Sequence, residues 1–227
     1  MALMTTRQAA ERMGLSVRQV QRLMTDGALT RIGTDRIEAI SVEQWLAQRP
    51  THRVRAWAEP TAWAAVALLE GQKVDWVDQP RRSRLRTALV DATPAEVVAR
   101  TRDRARVRRY FAHPQAHSWL SGLVVSSGAL TATAGLSAAS EHERVDGYVS
   151  ADEVLRLVIR FRMEHDPGGH IVLRETTMPI DLVRSLARGR QQVLAGLDLA
   201  GSTDDRERAA GRQLIASAQS RLGDRAR

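Results

Sequence analysis

The chain has 227 residues, a formal net charge of +8 and no cysteine. This length is enough to bury a sizeable core in one domain and to add a second, smaller domain. The lack of cysteine excludes a disulfide framework, a thiolate nucleophile and any metal site built on Cys. Residues 1–58 hold nine Arg against five acids, residues 79–118 hold ten against three, and residues 119–227 hold fourteen of each. A basic first half favours a polyanionic partner.

Three predicted helix starts follow one another near the beginning of the chain. Thr5, Ser16 and Ser41 are each followed three positions later by Gln. In such a capping box the hydroxyl accepts a hydrogen bond from a backbone N–H of the first turn, and the Gln side chain reaches back to the cap. Gly14 and Gly27 would end the first two helices. This succession predicts a helix-turn-helix.

The predicted second helix has one apolar and one polar face. Its apolar residues recur at helical spacing: Val17, Val20, Leu23 and Met24. The outer face is left to Arg18, Gln19, Gln21 and Arg22. In the major groove, Arg can bind guanine and Gln can bind adenine through two hydrogen bonds each. The outer face is therefore either the base-reading surface of a recognition helix or an ordinary solvated face.

A short hairpin is predicted between the second and third helices. Apolar residues flank a Gly-Thr-Asp turn at positions 33–35, and Trp45 and Leu46 follow in the third helix. The run from Thr6 to Ser16, the hairpin and Trp45-Leu46 together resemble the excisionase/MerR-type winged helix-turn-helix of small bacterial DNA-binding proteins. The resemblance covers residues 4–48 and implies binding to double-stranded operator DNA. It also implies phosphate or wing contacts from Arg7, Arg12, Arg31 and Arg36.

The chain is predicted to divide into two domains. Polar residues and Pro50 interrupt both periodicities near residues 48–55. We therefore predict a winged helix-turn-helix domain over residues 1–49, a linker over 50–58 and a larger α/β domain over 59–227. In the larger domain the patterns predict helices at 60–70, 80–90, 93–102, 150–161, 180–187 and 203–222, the fourth opened by a capping box of Ser150 and Glu153. They predict strands at 104–111, 123–126, 171–176 and 193–199.

The stretch from Trp119 to Ala139 is uncharged for 21 residues. It contains six Ser or Thr and three Gly, which make it too polar for a typical membrane span. We therefore predict a buried strand followed by a segment of small packing residues, and no membrane association. The first residues lack the pattern of a signal peptide, so we expect a cytoplasmic protein.

Catalytic motifs are weak in this sequence. His113 and His117 are four residues apart but lack the Glu of the metalloprotease pattern, so we expect them on a solvated helix face. The segments 141–143 and 165–170 have the composition of polar loops. A phosphate-binding Gly-Lys-Ser/Thr loop and a nucleophile elbow are both missing. We therefore predict no catalytic residues, no metal and no cofactor, and a nucleic-acid-modifying enzyme is the weakest of the alternatives.

The larger domain carries a second, more diffuse resemblance. Its motifs are the run from Arg81 to Arg86 after an apolar helix, Ala112-His113-Pro114, and the run from Leu197 to Arg212. Together these are similar to the AbiEi-like antitoxins of actinobacterial AbiEii-type nucleotidyltransferase toxins. The resemblance implies autorepression of a toxin operon and neutralisation of a nucleotidyltransferase toxin by the larger domain. The alternative is an excisionase-like or ligand-sensing transcription regulator without a toxin partner.

Two further questions are open at the level of sequence. A basic stretch from Arg81 to Arg109, led by Arg81, Arg82, Arg84 and Arg86, could extend the DNA footprint, cover an acidic partner or form solvated helix faces. A symmetric operator would require either a homodimer on DNA or two monomers on inverted half-sites about one helical turn apart.

Overall fold

A computed structural model describes residues 3–25, 28–33, 36–48, 54–129, 144–202 and 204–225. The predicted mixed α/β class is confirmed, with helices and strands alternating along the chain and two separate sheets. Much of the predicted linker, residues 49–53, lies outside the described residues. The predicted small-residue segment after residue 129 also lies outside them.

The N-terminal region packs short helices against a small sheet. Its elements are β1 (Leu3–Thr5), α1 (Thr6–Met13), α2 (Val17–Thr25), β2 (Arg31–Ile32), β3 (Arg36–Glu38) and α3 (Ala39–Gln48). The sheet has the antiparallel order β1-β3-β2. The two strands predicted around the turn are therefore present, whereas β1 was not predicted. Met13, Val20, Leu29, Ile37 and Val42 are buried together in the core of this region.

Two of the predicted capping boxes open helices as expected. The Thr5 hydroxyl accepts from the Gln8 backbone N–H at 3.2 Å, and Gln8 Oε1 accepts from the Thr5 N–H at 2.8 Å. Ser16 and Gln19 repeat this arrangement at the start of α2. The prediction for Ser41 is wrong, because α3 already begins at Ala39. The buried Ser41 hydroxyl instead donates to the Glu38 carbonyl and accepts from the Thr30 N–H, which ties α3 to the hairpin.

The larger region begins with helices and then alternates strands with helices. It contains α4 (Glu59–Glu70), α5 (Gln79–Asp91), α6 (Pro94–Arg100), β4 (Arg106–Phe111), α7 (Ala116–Leu123), β5 (Val145–Ser150), α8 (Ala151–Arg160), β6 (Glu164–His165), β7 (Ile171–Thr176), α9 (Ile180–Ala187), α10 (Val193–Leu199) and α11 (Asp205–Asp224). A 3-10 turn, Arg102–Arg104, connects α6 to β4. None of the helices in the described ranges is long and apolar enough to cross a membrane.

The second sheet has two chemically different faces. Its order is β5-β7-β4-β6, with β5 parallel to β7 and the other pairs antiparallel. Because side chains alternate along a strand, one face carries apolar residues that pack under α7 and α8, among them Tyr110, Val149 and Leu173. The opposite face carries polar residues in adjacent register positions. Arg109, Val172 and Asp146 form one row, and Val107, Arg174 and Tyr148 form the next.

The main core surrounds α4. Every residue from Ala62 to Glu70 is buried, and Trp63 is fully enclosed. The ring of Trp63 meets Tyr148 edge to face at a centroid distance of 5.4 Å, and its indole N–H donates to the Thr176 hydroxyl at 3.1 Å. α4 therefore connects the polar face of the sheet to the surrounding helices.

Three predictions in the larger region are wrong. The predicted strand 123–126 is the end of α7 followed by an isolated bridge between Val125 and Tyr148. The predicted strand 193–199 is the helix α10, since a short apolar run fits either structure and only its neighbours decide. Ser150 precedes α8 as predicted, but its side chain forms no capping hydrogen bond.

Candidate nucleic-acid interface and an arginine-lined cavity

The outer face of α2 presents the predicted base-reading residues to solvent. Arg18, Gln21 and Arg22 are exposed, while Val20 on the opposite side is fully buried. Gln19 is also exposed, but its Oε1 accepts from the Ser16 N–H at 2.9 Å. Gln19 therefore contributes to the helix cap, and its capacity to bind adenine through two hydrogen bonds is reduced.

The predicted phosphate and wing contacts differ in how their side chains are engaged. Arg7 and Arg36 are exposed. Arg12 forms an ion pair with Glu43 of α3 at 3.0 Å, and this hydrogen bond raises the pKa of its guanidinium. Arg31 donates from Nε to the Gly33 carbonyl at 2.7 Å, which stabilises the hairpin turn. Arg12 and Arg31 thus have roles within the protein in addition to any contact with DNA.

The predicted second basic patch lies on α5. Arg81 forms an ion pair with Asp78, the N-cap residue of that helix, at 3.2 Å. Arg82 donates to the Val74 carbonyl at 2.5 Å and Arg84 to the Pro80 carbonyl at 3.3 Å, while Arg86 is half-buried. These contacts hold the start of α5, so the patch is not a uniform free cationic surface.

A large cavity lies between α6, the polar face of the second sheet and the last two helices. Its volume is about 620 Å³. Seven arginines line it: Arg102, Arg104, Arg106, Arg109, Arg174, Arg208 and Arg212. Among the described residues, only two acidic side chains, Asp103 and Asp198, belong to the same lining. The cavity therefore has a strong excess of positive charge, and sequence analysis did not predict it.

Asp198 organises the floor of this cavity. Its carboxylate forms ion pairs with Arg104 and with Arg174, the latter at 3.2 Å. The Tyr148 hydroxyl donates to the same carboxylate at 2.8 Å and accepts from Arg104 Nε at 2.9 Å. Arg174 also binds Asp146 through two hydrogen bonds of 2.7 and 2.9 Å. Every charged group of this network has an opposite charge within contact distance, as buried ions require.

The network determines the protonation states of its members. Burial disfavours the charged form of Asp198, but the charges of Arg174 and Arg104 outweigh it and hold the pKa of the carboxyl below its ordinary value. Burial raises the pKa of the Tyr148 hydroxyl, so it remains a hydrogen-bond donor at neutral pH. The floor of the cavity is therefore a fixed set of two cations, one anion and one neutral hydroxyl.

Three further cavity arginines form no ion pair within the described part of the chain. Arg106, Arg109 and Arg212 form no ion pair with any residue in the described part of the chain, whereas Arg208 binds Asp205. Burial lowers the pKa of the Arg109 guanidinium, and the charge of Asp146 offsets this effect only in part. The positive charge of the cavity thus exceeds what the fold needs to neutralise its own acids.

The two histidines of the predicted helical pair lie in different environments. His117 is buried in α7 with its ring centroid 4.5 Å from that of His170, so the expectation of a solvated helix face is wrong for His117, whereas His113 is exposed but precedes the helix. Within the described ranges, no group of three or more His, Cys, Asp or Glu side chains could hold a metal ion.

Comparisons with known proteins do not identify the chain. It matches no protein-family model, and searches of curated proteins and of solved structures found no match.

Proposed function

We propose that the protein is a bacterial transcription regulator that binds double-stranded operator DNA through a winged helix-turn-helix in residues 3–48. The observation that carries the proposal is the exposed face of α2, where Arg18, Gln21 and Arg22 stand opposite a buried apolar side. A recognition helix uses such donors to read base edges in the major groove, and a neighbouring hairpin can contact the backbone. The β2–β3 hairpin, with Arg31 and Arg36 exposed, supports this second contact.

Substitution of Arg22 by alanine should weaken operator binding selectively. We expect a loss of about 1–3 kcal/mol on the DNA upstream of the protein's own gene and little change on scrambled DNA of the same length. Fluorescence anisotropy titrations at several salt concentrations measure both. Arg7→Ala is the matched control, because loss of a phosphate contact should weaken both DNAs and reduce the salt slope by about one. An equal loss on both DNAs for Arg18→Ala and Arg22→Ala would rule out base reading by α2.

We further propose that the larger region neutralises a nucleotidyltransferase toxin encoded beside the regulator. The resemblance of its motifs to AbiEi-like antitoxins motivates the proposal. Exposed apolar side chains on α7 and α8 support it, since Trp119, Leu155 and Ile159 are each about two-thirds exposed. Leu155 and Ile159 are four residues apart on one face of α8, and neighbouring exposed apolar residues are typical of protein contact sites.

The double substitution Trp119→Ser with Ile159→Ser should abolish protection from the toxin. The measurement is growth of a bacterial host that co-expresses the full-length protein and the product of the neighbouring gene. We expect loss of rescue with unchanged operator affinity, because the substituted side chains lie outside residues 3–48. Val90→Ser, at an exposed apolar position on α5, is the control and should still rescue. A neighbouring product that is harmless when expressed alone would refute the antitoxin function.

A ligand-responsive regulator is the second candidate, and the cavity favours it. Leu46 of α3 lines the cavity together with residues of the larger region. A ligand in the cavity would therefore lie beside the last helix of the DNA-binding region. Operator titrations with and without a bound ligand distinguish this function from one based on a toxin alone.

A further inference from the structure

We propose that the arginine-lined cavity binds an organic phosphate of about nucleotide size. This site goes beyond the proposed DNA-binding function and specifies the ligand class of the second candidate. Its test is direct binding to the full-length protein, so its failure would leave operator binding and toxin neutralisation untouched.

The cavity carries positive charge that is not neutralised by its own acidic residues. Seven arginines and two aspartates line the cavity, and Arg106, Arg109 and Arg212 have no acidic partner among the described residues. Clustered like charges in a concave site oppose folding, and a bound anion removes that repulsion. Phosphate matches the arrangement, because the planar guanidinium donates two parallel hydrogen bonds to it.

Two of the cavity arginines are held in a fixed position by acidic residues of the protein. The Asp198 carboxylate forms ion pairs with Arg104 and Arg174, and Asp146 accepts two further hydrogen bonds from Arg174. Their side chains are fixed before a ligand arrives, so little side-chain entropy is lost on binding. Sites for charged ligands typically combine such supported residues with others that can bind the ligand directly, here Arg109 and Arg212.

The size and the lining of the cavity suit a small organic phosphate. A volume of about 620 Å³ lies within the range of small-molecule sites and exceeds the need of a single inorganic anion. The 3-10 turn, the sheet and α11 contribute the cations, whereas α6 contributes the apolar Ala95 and Val98. A lining of this kind suits a ligand with a ring body and a phosphate tail.

The depth of the site argues against a duplex as its ligand. The side chains of Arg104 and Arg174 are only 8% and 12% exposed. The phosphates of double-stranded DNA lie on a convex surface and cannot reach these two guanidinium groups. A small molecule is therefore the ligand that the geometry favours.

Isothermal titration calorimetry of the full-length protein with ADP, pyrophosphate and adenosine tests the proposal. We expect saturable binding of ADP, weaker binding of pyrophosphate and none of adenosine. A 20-base-pair duplex of scrambled sequence, which lacks the operator, should not displace a fluorescent ADP analogue. Adenosine binding as tightly as ADP, absence of ADP and pyrophosphate binding, or displacement of the analogue by the scrambled duplex would each overturn the proposal.

Variants separate ligand binding from folding. Arg109→Gln and Arg212→Gln should each weaken ADP binding about tenfold or more, the effect of losing one charged hydrogen bond. The melting temperature of the unliganded variants should be unchanged or raised, since each removes a cation that has no acidic partner. Arg188→Gln, at an exposed position outside the cavity, should change neither quantity. Unchanged ADP affinity for Arg212→Gln, or a lowered melting temperature with unchanged affinity for Arg109→Gln, would assign these arginines a structural role and refute the site.

Discussion

Replacing Asp198 by asparagine is expected to destabilise the larger region by about 3–5 kcal/mol. The substitution keeps the size of the side chain but removes the only negative charge that contacts Arg104 in the buried network. Arg174 would then keep Asp146 as its acidic partner, whereas Arg104 would lose its ion pair. Such a loss is a large part of the stability of an ordinary domain. Urea unfolding followed by circular dichroism measures it.

The matched control for this substitution is Asp205→Asn. Asp205 also forms an ion pair with an arginine, but its side chain is 92% exposed. Exposed pairs of this kind contribute about 0–1 kcal/mol, so the control should unfold almost as the wild type does. A loss of less than about 1 kcal/mol for Asp198→Asn would show that the network is not a significant source of stability.

The dependence on pH provides an independent check of the same substitution. The pKa of Asp198 is lowered in the folded protein, so the unfolded chain binds the proton more readily. The stabilisation is therefore complete above the unfolded pKa of about 3.9 and is lost as the pH falls through the lower folded value. The difference between wild type and Asp198→Asn should be constant near neutral pH and should narrow below about pH 4.

Replacing Gly211 by alanine should produce the second large loss of stability, about 1–3 kcal/mol or more. Gly211 lies in α11 where this helix crosses α10. An added Cβ would meet the Ala200 nitrogen and the Gly196 carbonyl oxygen, each at 2.5 Å. These are backbone atoms that cannot rotate away, so the two helices would have to separate. Thermal unfolding measures the loss, and ADP binding should weaken as well because Asp198 and Arg212 lie on these helices.

Gly223→Ala is the control for this prediction because it changes the same residue type in the same helix. Nothing lies within 4 Å of a Cβ added there. Without a clash, alanine should stabilise the helix by about 0.5–1 kcal/mol. If Gly211→Ala also raised the melting temperature, the close crossing of α10 and α11 would be incorrect.

The helix ends that could be predicted from the sequence are those set by neighbouring residues. The caps at Thr5 and Ser16, the stop at Gly71 after α4 and the bounds of α9 depend on residues within one or two helical turns. Capping hydroxyls, glycines with positive φ and apolar periodicity act over the same short distances. The exposed face of α2 could be predicted for the same reason.

The assignment of α10 shows what local signals do not contain. Its residues are all buried, so no periodicity distinguishes helix from strand. Its first backbone N–H groups are satisfied by Glu70 of α4, whose carboxylate accepts from Val193 at 2.7 Å and from Gln191 at 3.0 Å. A carboxylate at a helix start is stabilising, but this one lies far away in the sequence. The choice of helix therefore depends on a contact that exists only after folding.

The environments of the arginines also depend on contacts that exist only after folding. As a sequence, residues 81–109 form one basic stretch. In the folded chain Arg81 and Arg84 remain on the surface of α5, whereas Arg104 turns inward and pairs with Asp198, and Arg109 lines the cavity. In the sequence, Asp198 lies between Leu197 and Leu199, and a charged residue inside an apolar run can indicate a buried ion pair. Composition and short-range pattern thus determine the helix starts, the hairpin and the basic character of the chain, because they act between neighbours. The cavity and its charge were decided by packing, because ion pairs and close helix crossings join residues that only the folded chain brings together.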